Sequence, residues 1–126
     1  MTVAIVTGSA GLVGSEAVRL FAAKGMEVVG IDNDMRREFF GADGTTMATR
    51  RHLEATVPGY RHVDDDIRDE AAMAAVFERY GRHVGVVLHC AAQPSHDWAA
   101  RAPMVDFTVN ANGTLVLLEQ ARRHCP

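Results

Sequence analysis

The stretch that decides the fold opens the chain: Val3-Ala4-Ile5-Val6-Thr7-Gly8-Ser9-Ala10-Gly11-Leu12-Val13-Gly14. Its apolar, mostly β-branched start lacks polar alternation, which predicts a strand buried on both faces, as in a parallel sheet. A helical pattern follows, in which Val13, Ala17, Leu20, Phe21 and Lys24 share one face and Gly25 closes the helix. Residues 27–31 predict a second buried strand, so the opening is one βαβ unit.

The remaining pattern continues the alternation of helices and strands. It predicts a helix over 45–56, a strand over 60–64, a helix over 69–80 capped by Asp69, and a strand over 84–90. A polar loop is expected over 95–101, and a last helix over 103–124 with Pro103 in its first turn. The sequence therefore predicts an α/β fold, a Rossmann-type doubly wound parallel sheet of about four strands with helices on both faces.

Composition excludes several classes of protein. The chain has 126 residues, 13 basic and 16 acidic, and 48% of its residues are hydrophobic, as in one globular domain. A net charge of −3 gives no basic field for a nucleic acid. No run approaches the ~18 apolar residues of a membrane span, and no signal peptide is visible. Two cysteines form no disulfide framework, so a cytoplasmic location is expected.

The three glycines Gly8, Gly11 and Gly14 lie between the first strand and the first helix. In that context glycines allow a sharp exit from the strand, close approach of backbone amides to a pyrophosphate, and tight packing of helix on sheet. Asp32 ends the second strand, where a carboxylate accepts hydrogen bonds from ribose hydroxyls and repels a 2′-phosphate. This pattern predicts dinucleotide binding, with NAD favoured over NADP.

Arg36 and Arg37 leave part of the cofactor choice open, because a guanidinium can receive a 2′-phosphate. NAD is still favoured, with Arg36 expected along the adenine edge, and a solvated basic pair is the alternative. No metal site is expected: Asp64-Asp65-Asp66 is explained by a strand end before a helix, and the adjacent His89 and Cys90 do not have metal-ligand spacing.

These residues also carry a resemblance to a known family. The motifs are Thr7-Gly8-x-x-Gly11-x-x-Gly14, Asp32, Asp66-Ile67, Ala91-Ala92 and Asn110-x-x-Gly113-Thr114-x-x-Leu117-Leu118-Glu119. Together they resemble the extended short-chain dehydrogenase/reductase family of nucleotide-sugar epimerases and dehydratases. Within the family, residues 31–37 and 91–99 are similar to a subgroup that inverts C2 of a CDP-linked 3,6-dideoxyhexose.

The resemblance implies a role for each matching position. It implies a pyrophosphate held by Gly8, Gly11, Leu12, Val13 and Gly14, and an adenosine ribose held by Asp32 and Asn33 and flanked by Met35 and Arg36. It implies an adenine bound at Asp66 and Ile67, and a nicotinamide ribose lined by Ala91, Ala92 and Gln93. Asn110 would support the nicotinamide from below, and Gln93, Ser95 and His96 would begin the sugar pocket.

The implied reaction is transient oxidation at C2 of the sugar, followed by return of the hydride to the opposite face with no net consumption of NAD. The implied partners are a nucleotide sugar, with a CDP-linked dideoxyhexose expected, and a second copy of the chain. Family members often dimerise through two helices, one of which would be 103–124. Neither a nucleic acid nor a membrane is expected as a partner.

The chain departs from the family in its proton-transfer residues. Members carry a Tyr-x-x-x-Lys pair, but Tyr60 and Tyr80 are the only tyrosines here and Lys24 the only lysine. No catalytic residue is therefore expected within the chain, and it alone should be inactive. Another strand is also expected after the helix that ends near Pro126. We therefore expect residues 1–126 to be the N-terminal portion of an NAD(P)-binding Rossmann domain, without the Tyr-x-x-x-Lys segment and the sugar-binding lobe.

Three other interpretations remain open from the sequence. The chain could serve a different sugar-nucleotide epimerase or dehydratase, bind NAD as a non-catalytic regulatory module, or be an inactive fragment.

Overall fold

A computed structural model describes residues 1–126. Its four strands are parallel: β1 (Val3–Thr7), β2 (Glu27–Ile31), β3 (Tyr60–Val63) and β4 (Val84–His89), in the order β3-β2-β1-β4. The carboxyl ends of the three neighbouring strands coincide, because Thr7 pairs with Ile31 on one side and His89 on the other. The predicted fold class is confirmed. In open parallel sheets of this kind, ligands bind outside the carboxyl ends of the strands.

Helices connect the strands and flank the sheet. They are α1 (Leu12–Ala23), α2 (Arg36–Phe40), α3 (Met47–Thr56), α4 (Glu70–Tyr80), α5 (His96–Arg101), α6 (Pro103–Phe107) and α7 (Gly113–His124). A π-helical segment, Thr108–Asn112, joins α6 to α7, and short 3₁₀ turns occupy Ala42–Gly44 and Gly81–His83. None of these helices is both long and apolar enough to cross a membrane.

Two apolar clusters cover the two faces of the sheet. On one face, Ile5 and Val29 pack with Phe77 of α4 and Leu117 of α7. On the other face, strand residues pack with Val18 of α1 and Leu53 of α3. Since successive strand residues point to opposite faces, the uninterrupted apolar run at residues 3–6 supplies both clusters.

Several local predictions are corrected. The face of α1 chosen from spacing is only partly the packed one, because Val13 and Leu20 are exposed while Gly14 and Val18 are buried. The reason is that Gly14 lies directly against Gly8, so the side of α1 that carries Gly14 and Val18 is the side that packs against the sheet. The polar stretch 95–101 contains α5, because Ser95 caps a helix by accepting a hydrogen bond from the Trp98 amide.

The last helix begins at Pro103 as predicted, but it is interrupted by a π-helical segment. Its buried stripe is Val109, Gly113, Leu117 and Gln120. The stripe formed by Met104, Phe107, Leu115 and Leu118 is exposed instead. Helix α2 and the turn after it were not predicted, because five-residue helices carry almost no periodicity.

Candidate functional site

The glycine loop lies between the ends of β2 and β4. The Gly8 amide donates to the Ile31 carbonyl oxygen at 2.7 Å, and the Ala10 amide donates to Oδ2 of Asp32 at 3.1 Å. Gly8 has a φ of +64°, and a Cβ there would lie 2.8 Å from the Ala91 nitrogen. Its conformation and its surroundings therefore both require glycine.

Gly14 is required for a different reason. A Cβ at this position would overlap the Gly8 carbonyl oxygen, so the first turn of α1 can sit against the loop only if residue 14 has no side chain. The glycine spacing noted in the sequence is thus explained by two close backbone approaches.

The N-terminus of α1 faces this loop without a capping group. Its N-cap residue is Gly11, no side chain accepts from the first-turn amides, and no acidic residue lies in that turn. The adjacent side chains of Leu12 and Val13 are 85% and 68% exposed. Uncapped amides at the positive end of a helix dipole form a binding site for an anion such as a pyrophosphate.

The loop, the helix and the strand ends enclose one cleft of about 280 Å³. The predicted site residues that line it are Gly8, Gly11, Leu12, Val13, Gly14, Asp32, Asn33, Met35, Arg36, Asp66, Ile67, Ala91 and Ala92. Ile31, Thr46, Asp65, Cys90, Pro94 and Val109 line it as well, although the sequence did not single them out for the site. Gln93, Ser95, His96 and Asn110 are not part of the lining.

Asp32 is held in place from three sides. Its Oδ2 accepts from the Ala10 amide, and its Oδ1 accepts from the Asp34 amide at 2.8 Å and from the Thr46 hydroxyl at 3.4 Å. Each carboxylate oxygen has two lone pairs, so Oδ2 keeps one for a further donor. The carboxylate is oriented by the protein and can still receive a ribose hydroxyl.

A polar relay under the sheet edge fixes the main chain of Asp32. Nε2 of His62 lies 2.9 Å from the Asp32 carbonyl oxygen, which can only accept, so that nitrogen carries the proton. Nδ1 of neutral His62 then accepts from the Tyr60 hydroxyl, whose oxygen accepts from Ser9. Burial lowers the pKa of His62, and the positive charge of Arg50 adds to this. The neutral ring is therefore the favoured form.

Asp66 has an intramolecular partner. Its carboxylate accepts from Nε and Nη2 of Arg68, and Oδ1 also accepts from the Arg68 amide at 2.8 Å. Burial raises the pKa of Asp66, but the hydrogen bonds and charge of Arg68 outweigh it, and the net pKa is lowered. Beside it Ile67 is 6% exposed and packs where a Cβ on Gly113 would lie. Gly113, in the middle of the last helix, is thus in close contact with Ile67.

The β4 side of the cleft is built around Thr7. Its hydroxyl oxygen accepts from the amides of Cys90 and Ala91, both at 3.1 Å. The same hydroxyl donates to Nδ1 of His89, because the Thr114 hydroxyl is committed to the Asn110 carbonyl and leaves Nε2 of His89 as the donor. This chain of hydrogen bonds ties the central strand to α7.

Asn110 holds the peptide of Gln93 at two points. Its Oδ1 accepts from the Gln93 amide at 2.8 Å, and its Nδ2 donates to the Gln93 carbonyl at 3.2 Å. The Gln93 side chain is 4% exposed and donates to Ser95 and to Asp106, which also accepts from Asn110. Asp106 was missed from the sequence because no local motif marks it, and its partner Gln93 lies in another loop.

The predicted sugar-pocket residues lie just outside the cleft. Gln93 is turned inward, Ser95 caps α5, and His96 is the first residue of that helix and is exposed. Trp98 packs edge-to-face against Phe39 and donates from Nε1 to its carbonyl oxygen. Helices α2 and α5 are thereby joined.

Comparison with known proteins gives a match to one protein family. The chain matches the NAD dependent epimerase/dehydratase family over residues 4–126. It is 32% identical over 120 residues to UDP-glucose 4-epimerase of Mus musculus, covering 95% of this chain and 34% of the relative. It is 26% identical over 120 residues to CDP-paratose 2-epimerase of Salmonella typhi, covering 95% and 32%.

Solved structures of epimerases have the same fold as this chain. UDP-glucose 4-epimerase of Thermus thermophilus in complex with NAD superposes with a TM-score of 0.73 at 32% identity, covering 98% of this chain and 34% of that one. The chain thus spans about a third of the length of the curated relatives it matches.

The family's description names NAD, in agreement with the cofactor predicted from the glycine loop and Asp32. The family match covers nearly the whole chain, from residue 4 to residue 126. The chain belongs to the NAD dependent epimerase/dehydratase family.

Proposed function

We propose that the chain is the NAD-binding portion of a nucleotide-sugar epimerase. The observation that carries this proposal is the contact between the Ala10 amide and Oδ2 of Asp32, 3.1 Å long. This hydrogen bond joins the glycine loop, which would bind the pyrophosphate, to the Asp32 carboxylate, which would bind the ribose, so that both line one open cleft. An uncapped helix terminus with exposed apolar side chains also fits a bound dinucleotide.

The lining residues fit the parts of NAD as follows. The first-turn amides of Leu12 and Val13 would hold the pyrophosphate, and Asp32 would receive the adenosine ribose. Asp66 and Ile67 would flank the adenine, while Ala91 and Ala92 leave room for the nicotinamide ribose because their side chains are small. When bound, NAD supplies reversible hydride acceptance, and the protein supplies its orientation.

We propose that the proton-transfer step uses residues outside this chain. Neither Tyr60 nor Tyr80 is followed four residues later by lysine, and both tyrosines are engaged elsewhere: Tyr60 in the relay to His62, Tyr80 in the core. Residues 1–126 are then the N-terminal portion of the NAD-binding domain, and the sugar-binding lobe lies beyond it. The chain covers about a third of the length of each of these relatives, which supports this division.

For the substrate we propose a CDP-linked 3,6-dideoxyhexose epimerised at C2. The stretches 31–37 and 91–99 support it, as does the 26% identity to a CDP-paratose 2-epimerase. A UDP-hexose epimerised at C4 is the second candidate, favoured by the 32% identity to a UDP-glucose 4-epimerase. Assaying the complete gene product with CDP-paratose and with UDP-glucose separates them, since each candidate predicts turnover of one substrate only.

A non-catalytic NAD-binding module is favoured by one observation, the single lysine of the chain. The sequence following residue 126 in the gene decides between module and enzyme: a Tyr-x-x-x-Lys motif there supports the enzyme. The two free thiols, Cys90 and Cys125, favour a reducing compartment, and we propose a cytoplasmic location.

We propose a homodimer that buries the exposed stripe of α6 and α7. Met104, Phe107, Leu115 and Leu118 are each more than half exposed. An exposed apolar patch of this kind marks an interface. Sedimentation of the purified chain should show a dimer that Leu118→Glu dissociates; an unchanged monomer for both would overturn the proposal.

Calorimetric titration tests the central proposal of NAD binding. The purified chain should bind one NAD, and ADP-ribose should bind in competition because the pyrophosphate and ribose contacts are shared. A chain that is folded by circular dichroism and yields no heat at millimolar NAD would contradict the proposal.

A further inference from the structure

The loop after β2 contains a second carboxylate, Asp34, with a well-defined set of donors. Its Oδ2 accepts from the Thr45 hydroxyl at 2.6 Å, and its Oδ1 accepts from the Thr46 amide at 2.7 Å and the Thr46 hydroxyl at 3.1 Å. Burial raises the pKa of Asp34, but these hydrogen bonds and the charge of Arg37 bring the net pKa below its ordinary value. Asp34 is therefore ionised at neutral pH.

Thr46 joins this carboxylate to the predicted ribose site. It is 7% exposed, it lines the cleft, and its hydroxyl lies between Oδ1 of Asp34 and Oδ1 of Asp32, at 3.1 Å and 3.4 Å. The Asp34 amide donates to the same Asp32 oxygen at 2.8 Å. Two negative charges thus share one hydroxyl hydrogen at the end of β2.

Of the two neighbouring guanidinium groups, that of Arg36 is stacked on an aromatic ring. Arg36 lines the cleft, and its guanidinium lies 4.9 Å above the ring of Phe40. Arg37 forms no ion pair with Asp34, and its positive charge contributes only to lowering the pKa of that carboxyl.

We propose that Asp34, positioned by Thr46, is a second determinant of dinucleotide choice. Its carboxylate adds to that of Asp32 in excluding a ribose 2′-phosphate, so two charges instead of one select NAD over NADP. Asp34 does not line the cleft itself, and its carboxylate reaches the cleft only through the Thr46 hydroxyl, so it acts by its charge. A 2′-phosphate carries close to two negative charges, and the added repulsion near a surface is worth roughly tenfold in affinity. The proposal rests on the proposed function, because it places the adenosine ribose at Asp32.

The experiment measures the affinities of NAD and NADP for the purified chain and for Asp34→Asn. Asparagine tolerates the φ of 59° at this position and keeps an oxygen for Thr46, so the loop is retained while the charge is lost. We expect NADP affinity to rise about tenfold, with NAD affinity unchanged within about twofold. Asp43→Asn, which removes an exposed charge from the turn Ala42–Gly44, should change neither.

Salt separates a charge effect from a structural one. Between about 50 mM and 500 mM NaCl the NAD preference of the original chain should fall, and that of Asp34→Asn should fall less, because added ions screen repulsion. Thr46→Val should reduce the preference about threefold, and Thr46→Ser, which keeps the hydroxyl, should restore it.

Each other result contradicts the proposal. An unchanged NADP-to-NAD ratio in Asp34→Asn, or an equal loss of both affinities, would assign Asp34 a structural role only. If Asp34→Asn does not fold, the NADP-to-NAD affinity ratios of Thr46→Val and Thr46→Ser decide instead: an unchanged ratio in Thr46→Val would assign the Asp34–Thr46 contact a structural role only. An original chain that binds neither dinucleotide overturns the proposed function and this inference together, a result distinct from NAD binding without a change in ratio.

Discussion

The two halves of the cleft are built in different ways. Around the Asp32 carboxylate most contacts are local and include a second carboxylate: Asp34, Thr45 and Thr46 lie within fourteen residues of it and form one hydrogen-bonded group with it, to which the Ala10 amide adds one contact from 22 residues away. Around Ala91 the contacts are mostly between neutral groups and more distant, since Thr7 and His89 are 82 residues apart and Gln93 and Asn110 are 17 apart; Asp106 is the one carboxylate among them. In the first half, side chains face the ligand. In the second half, the main chain is held by hydrogen bonds from side chains such as Thr7 and Asn110.

The difference shows what each half can do. An oriented carboxylate discriminates among ligands by charge, so the adenosine half is suited to choosing the dinucleotide. Small side chains on a rigid main chain leave space and fix distances, so the nicotinamide half is suited to placing a reacting ring. Each of the variants below perturbs one half or the glycine loop that joins them.

The largest loss of NAD affinity is expected from a change in the glycine loop, which joins the two halves. Gly14→Ala places a Cβ onto the Gly8 carbonyl oxygen, so the glycine loop must shift. Overpacking should lower the free energy of unfolding by about 3 kcal/mol, and displacement of the loop amides from the pyrophosphate should separately lower NAD affinity roughly 100-fold. The control is Gly25→Ala, where φ is +84° but no atom lies within 4 Å. It should lower the free energy of unfolding by about 1 kcal/mol and leave NAD affinity unchanged in calorimetry. Equal affinities of the two variants would show that the loop does not hold the ligand.

The next effect isolates the adenosine half. Asp32→Ala removes the acceptor for ribose hydroxyls and the charge facing a 2′-phosphate, so NAD affinity should fall roughly 10- to 100-fold and the preference over NADP should shrink. Asp43→Ala serves as the matched control because Asp43 is an exposed aspartate outside the cleft lining. Titrations with both dinucleotides check this, and an unchanged NAD affinity in Asp32→Ala would remove Asp32 from the site.

A smaller effect on binding is expected in the nicotinamide half. Asn110→Ala leaves the Gln93 amide without its partner, which should lower the free energy of unfolding by about 1–3 kcal/mol and NAD affinity by less than the Asp32 change. Asn112→Ala in the same π-helical segment should do neither, since Asn112 is exposed. Thermal unfolding together with ADP-ribose titration tests this: ADP-ribose affinity lowered more than in Asp32→Ala would contradict the assignment of halves.

The smallest effect is a pH dependence shared by both halves. Burial lowers the pKa of His62 and of His89, so each is more readily protonated in the unfolded chain than in the folded one. Their contribution to stability is complete above about pH 6.5 and is lost as the pH falls through that value toward the lower folded pKa.

Denaturant midpoints between about pH 7.5 and pH 5.5 should therefore decrease with falling pH. His62→Gln and His89→Gln should each flatten the decrease, and His96→Gln, at an exposed position, should not. A flat profile for the original chain would show that neither ring is held neutral by its relay.

The sequence predicted the local half well and the distant half poorly, for a physical reason. Gly8, Gly14 and Asp32 lie in one βαβ unit, where strand and helix periodicity fixes their relative positions within thirty residues. Thr46 was missed because it follows two short elements without periodicity, and its role depends on a left-handed turn at Asp34.

Long-range pairing explains the other omissions. The joint roles of Thr7, His89 and Thr114 depend on which strand neighbours which, and no local pattern encodes that. Asn110 was identified only through family resemblance, and its partner Asp106 was not identified. Apolar side chains also recur at helical spacing on both the buried and the exposed side of the last helix, so spacing alone does not show which side packs against the sheet.

The most direct test of a dinucleotide cleft at the carboxyl edge of the sheet is an amide chemical-shift map of the ¹⁵N-labelled chain titrated with NAD. We expect the largest shifts at Gly8, Gly11, Gly14, Asp32 and Ala91, while Gly25 and Gly59 at the opposite end of the strands should stay unchanged. Shifts confined to that opposite end, or no shifts in a folded chain at saturating NAD, would contradict it.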